Sequence, residues 1–165
     1  MSLRLPILPD PSNAGLFAWV QLVRTHAKMV RRLEQLLDQH GLTLPQFDVL
    51  ATLSVEEEIT QQELAGRLLV TKGNVCGMLD RMEKSGWVER RADPQDRRSN
   101  RLFLTDKGRR LLGSVLPAHA AMVRRVTDAL PVGEMQRLYQ VLEKLEYGLD
   151  AIDTREEVSP VERPV

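Results

Sequence analysis

Cysteine is nearly absent from this 165-residue chain, aromatic residues make up only 4% of it, and its 23 basic side chains are balanced by 23 acidic ones. Each scarcity excludes something. The single cysteine, Cys76, cannot close an internal disulfide and does not fit a secreted, staple-dependent fold. Few large rings argue against a β-sandwich and favour aliphatic helix packing. A zero formal charge excludes a uniformly basic nucleic-acid-binding protein. No apolar run reaches membrane-spanning length, and prolines break up the first residues before a signal-peptide core could form. A soluble, cytoplasmic chain is expected. No phosphate loop, nucleophile motif or metal-ligand spacing occurs, so neither an enzyme nor a metal or other cofactor is expected, and His26, His40 and His119 lie too far apart in pattern to form a ligand set.

What is present is charge segregated along the chain. Between Arg67 and Arg110 twelve Lys and Arg face six Asp and Glu, a local excess of +6 on a neutral chain. Clustered cations of this kind suit a phosphate-facing surface, because counterion release depends on local rather than total charge.

Periodicity predicts mostly helix. Leu16, Val20, Val23, Ala27, Val30 and Leu37 recur at helical intervals from about residue 14, with Leu22, His26, Met29, Leu33 and Leu36 in an adjacent stripe. Gly41 supplies a stop, and Thr43 with Pro45 opens a second helix that buries Phe47, Val49, Leu50 and Leu53. Thr60 and Glu63 form a capping box before a short helix carrying Leu64, Ala65 and Leu68. Thr71 caps a further helix with an inner face of Val75, Met78, Leu79 and Met82, ended by Gly86. Two short helices joined by a tight turn make a helix-turn-helix. The period then changes: Val88 to Arg91 and Arg101 to Leu104 read as strands around a basic loop, 92–100. A long helix follows from Thr105-Asp106, with a kink expected at Pro117. After Pro131, the residues Met135, Leu138, Leu142, Leu145, Leu149 and Ile152 alternate steps of three and four, a seam that calls for a partner helix.

The expected fold is therefore mainly α with a small β-hairpin wing: a winged helix-turn-helix core, 41–105, flanked by helical segments at 13–40 and 106–152, which the resemblance given below implies form a dimerisation domain. Residues 1–12 read as an extended or disordered arm and 153–165 as a disordered tail. In the Thr71 helix, Lys72 suits phosphate or guanine, Asn74 suits adenine, Gly73 and Gly77 allow close approach, and Arg81 suits phosphate. In the loop, Asp93-Pro94-Gln95-Asp96-Arg97-Arg98 would hold arginines clear of the body, where a narrow minor groove attracts guanidinium charge.

Residues Leu64 to Gly108, with Leu64-Ala65-x-x-Leu68, the stretch LDRMEKSGWVER, then DPQDRR and LTDKG, resemble the MarR family of bacterial transcriptional regulators. The resemblance implies a homodimer on double-stranded DNA, with the first and last two helices as the dimerisation domain, built on Leu16, Val20, Val23, Leu138, Leu142, Leu145, Leu149 and Ile152. It places the Thr71–Lys84 helix in the major groove, Arg98 in the minor groove, and Asp96 as its ion-pair partner. It also implies a repressor released by a small anionic or phenolic effector, with Trp19, His26, Met29 and Phe47 as candidate pocket residues. Redox-sensing relatives carry a reactive cysteine in the first helix, which this chain lacks. The competing reading is a winged-helix module that binds another protein and no DNA.

Overall fold

A computed structural model of the chain describes residues 14–68, 72–94, 96 and 99–156. Its elements are α1 (Ala14–Asp38), α2 (Leu44–Val55), β1 (Ile59–Thr60), α3 (Gln61–Arg67), α4 (Lys72–Lys84), β2 (Val88–Ala92), β3 (Asn100–Leu104), α5 (Asp106–Thr127) and α6 (Val132–Glu156). The expected arm lies outside the described residues. The helix of the last seam runs to Glu156, past the boundary expected at residue 152.

Helix boundaries follow the local chemistry. Gly41 adopts φ +67, and the amide of Leu42 donates back to the Leu37 carbonyl at 3.1 Å, so a left-handed glycine closes α1. Gly86, at φ +70, closes α4 in the same way, with the Trp87 amide on the Met82 carbonyl at 2.9 Å. At the start of α2, the Gln46 side chain accepts from the Thr43 amide at 2.9 Å. Both halves of the capping box of α3 form: Glu63 accepts from the Thr60 amide at 2.6 Å, and the Thr60 hydroxyl accepts from the Glu63 amide at 3.2 Å. α5 continues as helix through Pro117.

The chain divides into two compact units, one ending at His119 and one beginning at Ala120. In the first, Leu37, Leu50, Leu53, Leu64, Leu79 and Leu102 are fully buried and join helices α1 through α4 and β3, with Leu112 and Val115 of α5, in one largely aliphatic core. Each such leucine contributes roughly 1.5–3 kcal/mol through burial. The inner faces expected for α2 and α4 are all buried. The sheet has three strands in the order β1-β3-β2, all antiparallel. The hairpin was expected; β1 was not. At two residues it is too short to show an alternation, and it exists because Ile59 and Thr60 pair with Leu102 and Arg101.

The second unit comprises the end of α5 and the whole of α6. Leu138, Leu142, Leu145, Leu149 and Ile152 remain exposed along α6. A helix that leaves a regular apolar seam in water is one that calls for a partner.

Candidate nucleic-acid interface

α4 buries Val75, Met78, Leu79 and Met82 and so turns the opposite side outward. Gly73, Asn74 and Arg81 lie on that exposed surface. A Cβ on Gly73 would meet nothing within 4 Å, so its backbone is open to a close approach from outside. Gly77 is partly covered, with the Arg81 guanidinium 3.9 Å from where its Cβ would stand. Lys72 opens the helix. Thr71, Arg97 and Arg98 lie outside the described residues, and Asp96 is exposed.

Polar bonds fix α4 against the hairpin. Arg90, on β2, reaches Glu83 at 2.6 Å and Asp80 at 2.7 Å and donates to the Cys76 carbonyl at 3.4 Å, while its own amide donates to Glu83 at 3.2 Å. Its side chain is only 14% exposed. Burial opposes its charge, but the hydrogen bonds to Asp80 and Glu83 outweigh that and hold the guanidinium above its usual range. The buried Nε finds no partner.

The hairpin is also tied to the rest of the first unit. Glu57 accepts from the Leu104 amide at 2.8 Å and from Arg109 at 2.6 Å, joining the turn after α2 to β3 and α5. Arg67 pairs with Glu56 at 2.7 Å. The Thr105 hydroxyl donates to the Gly86 carbonyl at 2.6 Å and accepts from the Gly108 amide at 3.0 Å, so the start of α5 is clamped to the end of α4.

These bonds refine the charge argument. Of the twelve cations between Arg67 and Arg110, five (Arg67, Arg90, Arg91, Arg101 and Arg109) are in ion pairs within the chain. Among the described residues Arg81, Lys84, Lys107 and Arg110 have no carboxylate partner; Lys107 donates to the Ser85 carbonyl, and the other three remain available to an external anion. Composition could not separate the two groups, because pairing depends on partners such as Glu56 and Glu57 that lie outside the basic stretch.

The expected dimerisation residues are surface residues of the single chain: Leu16 and Val20 are half-buried on α1, and Val23 is exposed with the α6 seam. The candidate pocket residues differ in environment. Trp19, His26 and Met29 are exposed on α1, whereas Phe47 belongs to the core and its ring centroid stands 5.2 Å from that of His119. The second unit carries an open groove of about 790 Å³, lined by Thr127, Leu130, Val132, Met135, Tyr139 and Glu143, which the sequence pattern did not single out. Cys76 is a free, exposed thiol. Among the described residues no group of three or more His, Cys, Asp or Glu is placed to hold a metal ion, and no helix is long and apolar enough to cross a membrane.

Two short helices, the second held against a hairpin whose loop carries basic residues, define a winged helix-turn-helix protein. The model of the MarR family matches residues 42–99, the span from the end of α1 to the wing. YkoM of Bacillus subtilis, an uncharacterized HTH-type transcriptional regulator, is 35% identical over 64% of this chain and 69% of its own. The transcriptional repressor MprA of Escherichia coli is 33% identical over 77% of this chain and 73% of its own. A mutant MarR from E. coli, solved in complex with operator DNA, superposes with a TM-score of 0.74 at 28% identity, over 83% of this chain and 99% of that one. This chain belongs to the MarR family of transcriptional regulators.

Proposed function

We propose that the chain is a homodimeric, sequence-specific regulator of transcription that binds double-stranded DNA as a repressor and is released by a small anionic or phenolic effector. The observation that carries this reading is α4: one face is committed to the core, and the other presents Gly73, Asn74 and Arg81 outward beside a basic wing. The similarity to a MarR solved on operator DNA and to a named repressor supports the same reading.

In this reading Thr71, Lys72, Gly73, Asn74 and Gly77 approach base edges and nearby phosphates, and Arg81 holds phosphate. Arg97 and Arg98 serve the wing, with Arg98 in the minor groove and Asp96 bracing it. Residues 13–40 and 106–152 pair with a second copy, so that two α4 helices meet half-sites about one helical turn, roughly 34–36 Å, apart. An effector bound near Trp19, His26, Met29 and Phe47 would favour a dimer conformation with a different spacing.

The test is selection of bound duplexes from a random pool, followed by titration of the selected duplex at several salt concentrations with wild-type and Arg98→Ala protein. A pseudo-palindromic site, a steep salt slope and a loss of roughly 1–3 kcal/mol on Arg98→Ala are expected. A folded dimer that enriches no sequence would instead leave the wing as a docking surface for an acidic protein.

A further inference from the structure

Arg91 and Arg101 stand directly opposite each other across the β2–β3 ladder. Like charges in that position weaken a sheet unless each is drawn to a partner. The two side chains find different partners. Arg91 stacks 4.1 Å above the Phe103 ring and pairs with Glu89. Arg101 engages the root of the wing, where its Nε lies 2.9 Å from Asp93 Oδ2 and its Nη1 donates to the Glu58 carbonyl at 2.8 Å.

Both of those partners occupy unusual positions. Asp93 opens the wing loop and is only 5% exposed, the one buried charged residue among the described residues. Its amide donates to the Ser99 carbonyl at 3.0 Å, and the Ser99 amide donates to the Asp96 carbonyl at 2.9 Å, so the loop is pinched shut at its base. Glu58 has φ +65, the one positive φ at a non-glycine among the described residues, and its amide donates to Leu102 at 3.0 Å. It sits in the turn that leads through β1 into α3. A guanidinium is a rigid planar fork, and here two of its donors span two separate turns.

We propose that Arg101 is a positioning residue for the wing: by bridging Asp93 and Glu58 it fixes the loop that carries Arg97 and Arg98 relative to the helix-turn-helix, without contacting DNA itself. This rests on the wing contact proposed above. A buried carboxylate held by an anchored guanidinium ties the end of β2, where the wing begins, to the turn before β1. Breaking such a pair leaves a charge with low exposure and a weakened partner set, so the restraint is stiff.

The experiment is a double-mutant cycle on the duplex recovered from the random pool, with Arg98→Ala, Arg101→Met and the double variant. A parallel cycle combines Arg101→Met with Arg81→Ala. If Arg101 acts through the wing, each single variant of the first cycle lowers affinity about tenfold and the double loses little more, because coupled residues are non-additive. The losses with Arg81→Ala multiply, and the salt slope falls by about one for Arg98→Ala with no further fall in the double variant. Arg101→Lys, which keeps the charge but loses the fork, is carried through the same cycle in case Arg101→Met does not fold. Multiplicative losses with Arg98→Ala, or full affinity in the Arg101 variants while Arg98→Ala binds weakly, would overturn the proposal. Full affinity in Arg98→Ala itself would overturn the wing contact, and the role of Arg101 with it.

Discussion

A Cβ added to Gly108 would stand 2.1 Å from the carbonyl oxygen of Trp87, a distance that no side-chain rotation can relieve because the oxygen is backbone and the backbone fixes where a Cβ stands. The first turn of α5 therefore lies directly on the residue that leads into β2. The Thr105 amide uses the same carbonyl, at 3.1 Å, and the Thr105 hydroxyl bonds the Gly108 amide.

Gly108→Ala is therefore expected to destabilise the first unit by about 1–3 kcal/mol, the usual cost of overpacking a fitted contact. Elsewhere in a helix the same change would stabilise. Urea unfolding followed by circular dichroism checks the sign; an unchanged or raised midpoint would mean that α5 and Trp87 can separate freely.

Arg90→Met should weaken DNA binding more than its effect on folding alone explains. The substitution keeps much of the stem's apolar volume but removes the bonds to Asp80, Glu83 and the Cys76 carbonyl. Stability should fall by about 1–3 kcal/mol, since each lost bond to a charged group is partly offset by the water that reaches Asp80 and Glu83. Measuring duplex affinity well below the unfolding midpoint separates the effects: equal binding by the folded variant would show that α4 keeps its angle without Arg90.

Much of this fold can be read along the chain, because helix ends are set by local chemistry: Gly41, Thr60 with Glu63, and Gly86 each act within one turn. The inner faces of α2 and α4 are legible for the same reason, since helical period and burial coincide. What escapes reading is non-local. β1 is a strand only because β3 is beside it, Gly108 is required only because the Trp87 carbonyl, just before β2, packs on it, and two cations of the basic stretch, Arg67 and Arg109, are held by carboxylates that precede it. The surface of α4 is legible from its glycines and asparagine. Arg90, which ties α4 to β2, and Arg101, which bridges Asp93 and Glu58, look in sequence like two more surface charges.

Acid should weaken the fold partly through Glu57. Burial raises its pKa, but hydrogen bonds from Arg109 and the Leu104 amide lower it further, and the net position is below the ordinary glutamate range. A carboxylate depressed in the folded state contributes stability that is present above its unfolded pKa, about 4.3. That contribution is lost as pH falls from there through the lower folded value. Glu57→Gln keeps an acceptor for Leu104 but loses the charge, so it should be less stable than wild type at pH 7 by about 1 kcal/mol, discounted for partial exposure. The gap should close toward pH 3. Glu56 and Glu63, also lowered, are common to both proteins and cancel in the difference. A gap constant with pH would mean that the pair with Arg109 contributes nothing to stability.

The last prediction concerns the seam of α6. Leu142 and Leu145 are 40% and 46% exposed, and Leu138, Leu149 and Ile152 continue the same stripe, an arrangement that a lone chain has no reason to keep in water. If a second copy covers it, Leu145→Asp places a carboxylate in an apolar contact and should leave the protein monomeric at micromolar concentration while each chain keeps its helical content. Binding should then fall far more than the loss of one side chain could explain, because two tethered half-site contacts become two independent ones. Light scattering beside circular dichroism checks the first claim, and titration of the full duplex against a single half-site checks the second. A variant that stays dimeric would move the interface off α6, and Val23→Asp on α1 would then be the change that should separate the chains.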